Sequence, residues 1–405
     1  MFGKGKTRRE IVQSGLGVLA ALGMATLPAD LKARGRKRRK RRSRQSGQGG
    51  EKSAGLGQSG ISASGSGSKN ALGAGASCVV CPGQGNCTFS TIQAAIDADD
   101  AQFAEITICD GTYKETITIN KHLSLIAVNP GKVILEPPTG GGQATAVIVQ
   151  PQTNATISGF VIQGGTGWPI GDGSSLGGGI MNMGDLTLQN SLVQKNQADQ
   201  GGGICNYPNA RLTLDNTMVA QNTAAAASGP SSNSRGGGII NSIGSQLTMQ
   251  NKSVVEFNNA TRGGGIDNVG TLLVSAGSAI QQNRASTDGG AVYNEGSHNV
   301  VIDGSTISLN TAQSGGGIYN RDGSVTLRNK AQVAQNDAQN GAGVYQTTDG
   351  FATTLALFSS SITNNVATQN GGGVFNQNGT VALDAKSKVA NNSPNNCTGT
   401  NACGS

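Results

Sequence analysis

The sequence predicts an all-β fold, a right-handed parallel β-helix (a solenoid) with a short N-terminal capping helix. Two observations lead to this prediction. A glycine-rich phrase recurs eight times between Gly177 and Asn392, with starts 24, 35, 27, 26, 26, 26 and 30 residues apart, and such a period indicates stacked repeats. Between the phrases, short segments such as Leu212-Thr213-Leu214 alternate apolar and polar residues, as a strand with one buried face does.

Each repeat carries two sequence signals. The first is a glycine run, an aliphatic residue, a variable residue and usually Asn, beginning at Gly177, Gly201, Gly236, Gly263, Gly289, Gly315, Gly341 and Gly371. The second is an aliphatic residue, two variable residues and Asn. It ends at Asn196, Asn222, Asn258, Asn283, Asn310, Asn336, Asn365 and Asn392. Stacking predicts an inward aliphatic column from Ile180 to Val374 and an Asn column from Asn182 to Asn376. These asparagines have a structural role, because stacked amides bond to one another and Asn tolerates left-handed turn geometry.

A helix is predicted before the repeats. Residues 91–98 (TIQAAIDA) place apolar residues at i, i+3 and i+4, with Ser90 or Thr91 as N-cap. A solenoid needs its first edge covered, so we expect this helix to be the cap. Strand-like segments between Ile106 and Leu135 predict the first coils.

The chain divides into four predicted parts. These are a twin-arginine-like signal segment (1–33), a polybasic run (34–44), a Gly- and Ser-rich disordered linker (45–77) and the β-helix domain (78–405). Residues 1–44 hold 14 of the 30 basic residues and 2 of the 23 acidic ones, which leaves 16 basic and 21 acidic residues beyond. We expect an exported bacterial protein, secreted or on the cell surface, that meets an anionic surface through residues 34–44. The acidic body and the absence of aromatics from the run disfavour nucleic acid.

Six of the seven cysteines lie towards the ends of the predicted domain. The disulfide candidates are Cys78, Cys81, Cys87, Cys109, Cys397 and Cys403. A zinc site of the first four thiols is the alternative, but their spacing is not that of paired CxxC ligands. In an exported chain we expect disulfides and no metal, with Cys205 unpaired.

Three segments carry a family resemblance. TIQAAIDA from Thr91, GTYKETITI from Gly111 and HLSLIAV from His122 resemble the opening coils of the pectin-lyase-like superfamily of right-handed parallel β-helices. The two repeat signals are similar to the GGAI and FxxN repeats of chlamydial polymorphic outer membrane proteins. The resemblance implies a fold for about residues 88–392, and no single activity, because this scaffold hosts lyases, hydrolases, esterases and adhesins. Alternating amphipathic strands do not precede Ser405, so we expect no transmembrane barrel.

Catalysis on this scaffold requires grouped acidic side chains. Glycoside hydrolysis uses two facing carboxylates, and lyase chemistry uses acids for calcium and a base. Carboxylates in the repeats are sparse, and the best cluster is Arg235, Arg262, Asp267 and Asp288, expected on three adjacent coils as a patch for a uronate. Arg262, Asp267 and Asp288 are therefore the catalytic candidates if the protein is an enzyme. A surface salt-bridge ladder accounts for the same residues.

The variable position of the glycine phrase predicts a binding surface. It holds Met181, Cys205, Ile240 and Asp267, and then Tyr293, Tyr319, Tyr345 and Phe375. Because its neighbours are assigned inward, this column points outward, and four rings one coil apart form a stripe suited to stacking sugar rings. The apolar residues earlier in the column predict a covering loop, such as the insertion 223–235. Packing without a ligand is the alternative role of the rings.

The sequence thus favours an adhesive or polysaccharide-binding module without catalytic activity or a cofactor. Its expected partner is a polysaccharide or another cell-surface molecule. The alternative is a polysaccharide lyase or glycoside hydrolase, with calcium as a cofactor if it is a lyase. A second alternative is an architectural envelope protein with no ligand.

Overall fold

The structure, a computed structural model, describes residues 79–82, 87–98, 104–140, 142, 144–171, 173–225, 234–400 and 402–403. The chain divides into Met1–Gly73 and Ala74–Ser405, and every described residue lies in the second unit. The predicted signal segment, polybasic run and linker, and Cys78, lie outside the described residues. No helix in the described part has both the length and the apolar character needed to cross a membrane.

Three parallel sheets of eleven strands run the length of the described solenoid. The first sheet contains β1 (Ala104–Ile108), β4 (Leu123–Ala127), β7 (Asn154–Ser158), β12 (Asp185–Gln189), β16 (Arg211–Asp215), β20 (Gln246–Gln250), β24 (Thr271–Val274), β28 (Asn299–Asp303), β31 (Ser324–Arg328), β35 (Thr354–Phe358) and β39 (Thr380–Leu383). The second sheet contains β2 (Gly111–Lys114), β5 (Val133–Glu136), β8 (Phe160–Gln163), β13 (Leu192–Gln194), β17 (Met218–Ala220), β21 (Val254–Glu256), β25 (Ala279–Gln281), β29 (Thr306–Ser308), β32 (Gln332–Ala334), β36 (Ser361–Thr363) and β40 (Lys388–Ala390). The third sheet contains β3 (Ile117–Ile119), β6 (Val147–Val149), β11 (Ile180–Asn182), β15 (Ile204–Asn206), β19 (Ile239–Asn241), β23 (Ile266–Asn268), β27 (Val292–Glu295), β30 (Ile318–Arg321), β34 (Val344–Thr347), β38 (Val374–Gln377) and β41 (Cys397–Thr398).

Short additional strands lie between the second and third sheets. They are β14 (Gln197–Ala198), β18 (Thr223–Ala224), β22 (Asn259–Arg262), β26 (Arg284–Asp288), β33 (Asp337–Asn340) and β37 (Val366–Asn370), all in parallel pairings. The antiparallel hairpin β9 (Trp168–Pro169) and β10 (Ser175–Leu176) interrupts the coils. The fold is thus the predicted parallel β-solenoid of about 10 turns, with one short helix among the described residues.

The core is made of aliphatic columns, as the repeat predicts. Ile180, Ile204, Ile239, Ile266, Val292, Ile318, Val344 and Val374 all have no exposed surface. Adjacent members pair directly across the third sheet, as Ile180 does with Ile204. Each such side chain contributes roughly 1.5–3 kcal/mol when it leaves water, so a thin cross-section is stable without large aromatic residues.

Two asparagine ladders run along the axis. In the third sheet, the Nδ2 of each Asn from Asn182 to Asn294 donates to the Oδ1 of the next, over 2.7–2.8 Å. In the ladder from Asn196 to Asn392, the main-chain N–H and the Nδ2 of each Asn both donate to the next Oδ1. These bonds satisfy buried polar groups, whose loss costs about 1–3 kcal/mol each. The predicted structural role is confirmed.

The left-handed turn residue is not the asparagine of either ladder. In the second ladder, the residue with left-handed backbone geometry is the one immediately before each ladder Asn. These residues have φ values between 53° and 60°: Lys195, Gln221, Phe257, Gln282, Leu309, Gln335, Asn364 and Asn391. The expectation of left-handed asparagines was wrong, because hydrogen bonds to the following Asn hold whichever side chain occupies this position in the turn.

The predicted helix is present as α1 (Ile92–Ala98). The hydroxyl of Thr91 accepts a hydrogen bond from the N–H of Ala94 over 3.2 Å, which makes Thr91 the N-cap. The carboxylate of Glu115 accepts from the N–H groups of Ile92 and Gln93 over 2.8 and 2.9 Å. The helix packs against β1 and β3 and covers the first coil.

Candidate functional site

Four aromatic side chains form a continuous stack on the third sheet, which we call the ring file: Tyr293, Tyr319, Tyr345 and Phe375. They occupy equivalent positions of β27, β30, β34 and β38, in direct register. Successive ring centroids are 5.1, 4.9 and 4.9 Å apart, with interplanar angles of 7°, 5° and 15°. Coil spacing alone sets this stack, because strands of neighbouring coils lie roughly 4.8 Å apart.

The rings face one another. Tyr319, Tyr345 and Phe375 are partly exposed, whereas Tyr293 is only 3% exposed. Burial raises the pKa of Tyr293 to about 12. Because each face is turned towards the next ring, the solvent side of the ring file is built from ring edges and hydroxyl groups. The surface therefore differs from the open stripe of ring faces that the sequence predicts.

A polar file lies on each side of the rings. The upstream file is Asp288, Ser314, Asn340 and Asn370, in register and each five residues before its ring. The downstream file is Glu295, Arg321, Thr347 and Gln377, each two residues after its ring. The hydroxyl of Tyr345 donates to Oε1 of Gln377 over 3.2 Å. Hydrogen-bonding groups thus border the rings on both sides.

Arg262 closes one end of the ring file. Its guanidinium carbon lies 4.5 Å from the ring centroid of Tyr293. Its Nε is 3.0 Å from Oδ2 of Asp267, and its Nη2 is 3.3 Å from Oε2 of Glu295. Burial opposes the positive charge, but attraction by Asp267 and Glu295 raises the pKa of Arg262.

Arg321 continues the ion pairs along the axis. Its Nη1 is 3.7 Å from Oε1 of Glu295, and its Nη2 bonds to Oδ2 of Asp349. It also hydrogen-bonds to the side chain of Tyr293. The resulting ion-pair chain runs Asp267, Arg262, Glu295, Arg321, Asp349. Each guanidinium in it is paired with two carboxylates.

The catalytic candidates do not form a shared open site. Asp267 has no exposed surface, and its Oδ1 has no hydrogen-bond partner among the described residues. Arg235 donates to Oε1 of Gln200 over 2.8 Å. Asp288 is partly exposed, and burial raises its pKa despite attraction by Arg262 and Arg321. Asp267 occupies the ring-file position of the preceding coil, where it pairs with Tyr293 across β23 and β27. The side chain of Arg262 is bonded to it there.

The apolar first half of this column is covered by the β9–β10 hairpin. Met181, Cys205 and Ile240 pack with Ile170 and Leu176 of the hairpin. The buried carboxylate of Asp199 accepts hydrogen bonds from both the N–H and the hydroxyl of Ser175, over 2.7 and 2.9 Å. The cover found in the described part is thus this hairpin. Residues 226–233 of the insertion that the sequence suggests lie outside the described residues.

Cysteine side chains lie close together at both ends of the described domain. Disulfide bonds join Cys81 to Cys87 and Cys397 to Cys403. The Sγ atoms of Cys81, Cys87 and Cys109 lie within 4.8 Å of one another, the one group of potential metal ligands in the described residues. Cys205 is buried and unpaired, and burial raises its pKa to about 12.

Comparisons with known proteins give a similarity of fold. No family model and no curated protein matches the chain. Among solved structures, pectin methylesterase from Aspergillus niger in deglycosylated form is 14% identical, with a TM-score of 0.39, over 82% of this chain and 92% of that chain. The penultimately deglycosylated form of that enzyme matches at 14% identity over the same shares, with a TM-score of 0.37. Such an identity says nothing about a shared activity.

Three residues of the site were missed in the sequence, namely Glu295, Arg321 and Asp349. Glu295 and Arg321 follow their rings by two residues, so alternation places them on the same face of the sheet. That signal was available for these two. Asp349 lies in the loop between β34 and β35, outside the repeat, and nothing in the spacing predicts its contact with Arg321.

Proposed function

We propose that the protein is an exported polysaccharide-binding module without catalytic activity, and that the ring file with its two polar files is the binding surface. The proposal rests on the register of the ring file, the upstream file and the downstream file over successive coils. A polymer lying along the axis meets the same set of groups every 4.9–5.1 Å, a distance similar to the length of one pyranose unit in an extended chain.

The proposed contacts are made at ring edges and polar side chains. Sugar hydroxyls hydrogen-bond to Ser314 and Asn340 on one side and to Thr347 and Gln377 on the other. Sugar CH groups pack against the exposed edges of the rings. Tyr319 and Tyr345 are held by a ring on each side, so binding immobilises few rotamers, and a preorganised site loses less entropy on association.

The alternative, a lyase or hydrolase, has one observation in its favour. Asp288 is partly exposed beside the rings, and burial raises its pKa, as happens at many catalytic acids. Against this alternative, Asp267 has no exposed surface and Arg262 is bonded to two carboxylates. Assays of polymer breakdown with and without calcium test it. Activity that disappears in Asp288→Ala would establish the enzyme.

The binding proposal is tested by affinity electrophoresis of the full chain against a panel of soluble polysaccharides. We expect retardation by at least one polymer, and about tenfold weaker binding for Tyr345→Ala. The matched control is Phe358→Ala, which removes a ring that is 52% exposed on the first sheet, and it should bind as the wild type does. Circular dichroism verifies the fold of each variant.

Two outcomes contradict the binding proposal. The first is a folded wild-type protein that no polymer retards, which favours the architectural role. The second is an equal loss of binding in Phe358→Ala and Tyr345→Ala, which moves binding away from the ring file.

The proposal includes export directed by residues 1–33 and attraction of residues 34–44 to an anionic surface. Replacing the basic residues of 34–44 by Gln should release the protein from anionic vesicles, with little effect on polysaccharide binding. Sedimentation with vesicles measures the first effect, and the same affinity gels measure the second.

A further inference from the structure

The charges around the ring file are unequal. The ion-pair chain contains three carboxylates, Asp267, Glu295 and Asp349, and two guanidinium groups, Arg262 and Arg321. Each guanidinium group is therefore paired with two carboxylates, and the ion-pair chain has one more negative than positive charge. A ligand carboxylate at the rings would find no free cation in the chain and would lie close to three negative groups.

Asp288 adds a negative charge on the upstream side. It is partly exposed, and no Lys, Arg or His forms an ion pair with it in the described part of the chain. It begins the upstream file, in register with Ser314 and five residues before Tyr293. Burial, and then the charge of Asp288, raise the pKa of Tyr319 and of Tyr345.

The basic groups that face Asp288 do not remove its charge. Arg262 and Arg321 attract it, but each is bonded to two other carboxylates. Arg235 is hydrogen-bonded to Gln200. Arg284 is exposed at the opposite end of β26. The groups around the rings thus include more carboxylates than guanidinium groups, and the carboxylates and phenol oxygens can accept hydrogen bonds from a cation.

We infer that the ring file selects an amine-bearing polysaccharide over a uronate polymer, and that Asp288 is the residue that receives the protonated amine. This inference rests on the proposed function and names its ligand class. An ammonium donates to the Asp288 carboxylate and to a tyrosine hydroxyl, and a charge-assisted bond of this kind is stronger than a neutral one. The inferred ligand therefore differs from the uronate that the sequence suggests for the patch around Arg235 and Arg262.

The test compares three polymers with the full chain: glycol chitosan (called chitosan below), its N-acetylated counterpart glycol chitin, and polygalacturonate. The wild type should bind chitosan about tenfold more tightly than glycol chitin. Asp288→Asn should lose this preference and bind the two polymers about equally. The matched control is Asp215→Asn, an acidic residue of the first sheet, which should keep the preference.

Binding through the polybasic run is separated from binding through the rings by Tyr345→Ala. Retention of polygalacturonate by the run persists in this variant, whereas retention by the ring file is lost. The inference is overturned if ring-dependent binding of polygalacturonate or glycol chitin equals that of chitosan, or if Asp288→Asn and Asp215→Asn weaken chitosan binding equally. If no polymer shows ring-dependent binding, the proposed function itself fails.

Discussion

The guanidinium carbon of Arg262 lies 4.5 Å above the ring centroid of Tyr293. This contact ends the stack of aromatic rings, because the face of Tyr293 that no tyrosine covers is covered by the arginine. The same guanidinium bonds to the buried Asp267. The ring file therefore ends at the coil of Tyr293 on this side.

Loss of Arg262 should destabilise the protein strongly. Arg262→Ala leaves the fully buried Asp267 without its partner, at a cost of about 3 kcal/mol. Adding Asp267→Asn should recover much of this loss. Arg328→Ala breaks an exposed pair with Asp303 and should cost less than about 1 kcal/mol. Urea unfolding followed by circular dichroism measures all four proteins, and equal costs for Arg262→Ala and Arg328→Ala would contradict the prediction.

Alanine substitutions at three glycines distinguish two causes of lost stability, a left-handed backbone and a steric clash of the new Cβ. Gly304→Ala meets only the first, because its φ is +56° and the nearest atom to a new Cβ is 3.4 Å away; about 1–2 kcal/mol is expected. Gly316→Ala places a Cβ 2.4 Å from the carbonyl oxygen of Asp337. Gly315→Ala combines a φ of +65° with a carbonyl 2.5 Å away.

The expected order of stability is Gly304→Ala, then Gly316→Ala, then Gly315→Ala as the least stable. Denaturant midpoints of the three variants give the order. A Gly304→Ala variant that is as unstable as Gly315→Ala would show that the clash with the carbonyl is unimportant.

Asp288 and Asp303 should change stability with pH in opposite directions. Burial raises the pKa of Asp288 above 3.8, so its favourable contribution is present below the unfolded pKa and is lost as pH rises through the folded pKa. A hydrogen bond from Asn329, and then Arg328, lowers the pKa of Asp303, so its contribution is present above the unfolded pKa and is lost as pH falls through the folded pKa.

Urea midpoints between about pH 3 and about pH 7 test this contrast. Relative to the wild type, Asp288→Asn should gain stability as pH rises, and Asp303→Asn should lose it, by less than about 1 kcal/mol. Parallel pH profiles for the two variants would contradict the assignment of opposite shifts.

Cys205 should be unreactive in the folded protein. It is buried, and burial raises its pKa to about 12, so its thiolate fraction is roughly a thousandfold below that of an ordinary thiol. Iodoacetamide labelling followed by peptide mass spectrometry should modify Cys205 only after unfolding in urea. Rapid labelling without urea would mean that the β9–β10 hairpin does not cover this residue.

The sequence predicts what the repeat controls and misses what departs from it. The aliphatic column, both asparagine columns and the register of the rings follow from the spacing of like residues. The left-handed turn position does not, because Gln221 and Leu309 share no preference for that conformation. The β9–β10 hairpin and Asp349 lie in segments without a repeat, and the bonds of Arg321 depend on side-chain rotamers that a pattern of spacing does not specify.

The asparagine ladders have a consequence for how such a chain changes its size. Each amide meets an identical amide on either side, so the ladder has no preferred number of rungs. Excision of residues 284–310 would bring Asn283 next to Thr311 and restore the same local sequence pattern. Duplication or loss of whole repeats therefore keeps the same contacts between neighbouring coils. The length of the solenoid can change in evolution without a change in its core.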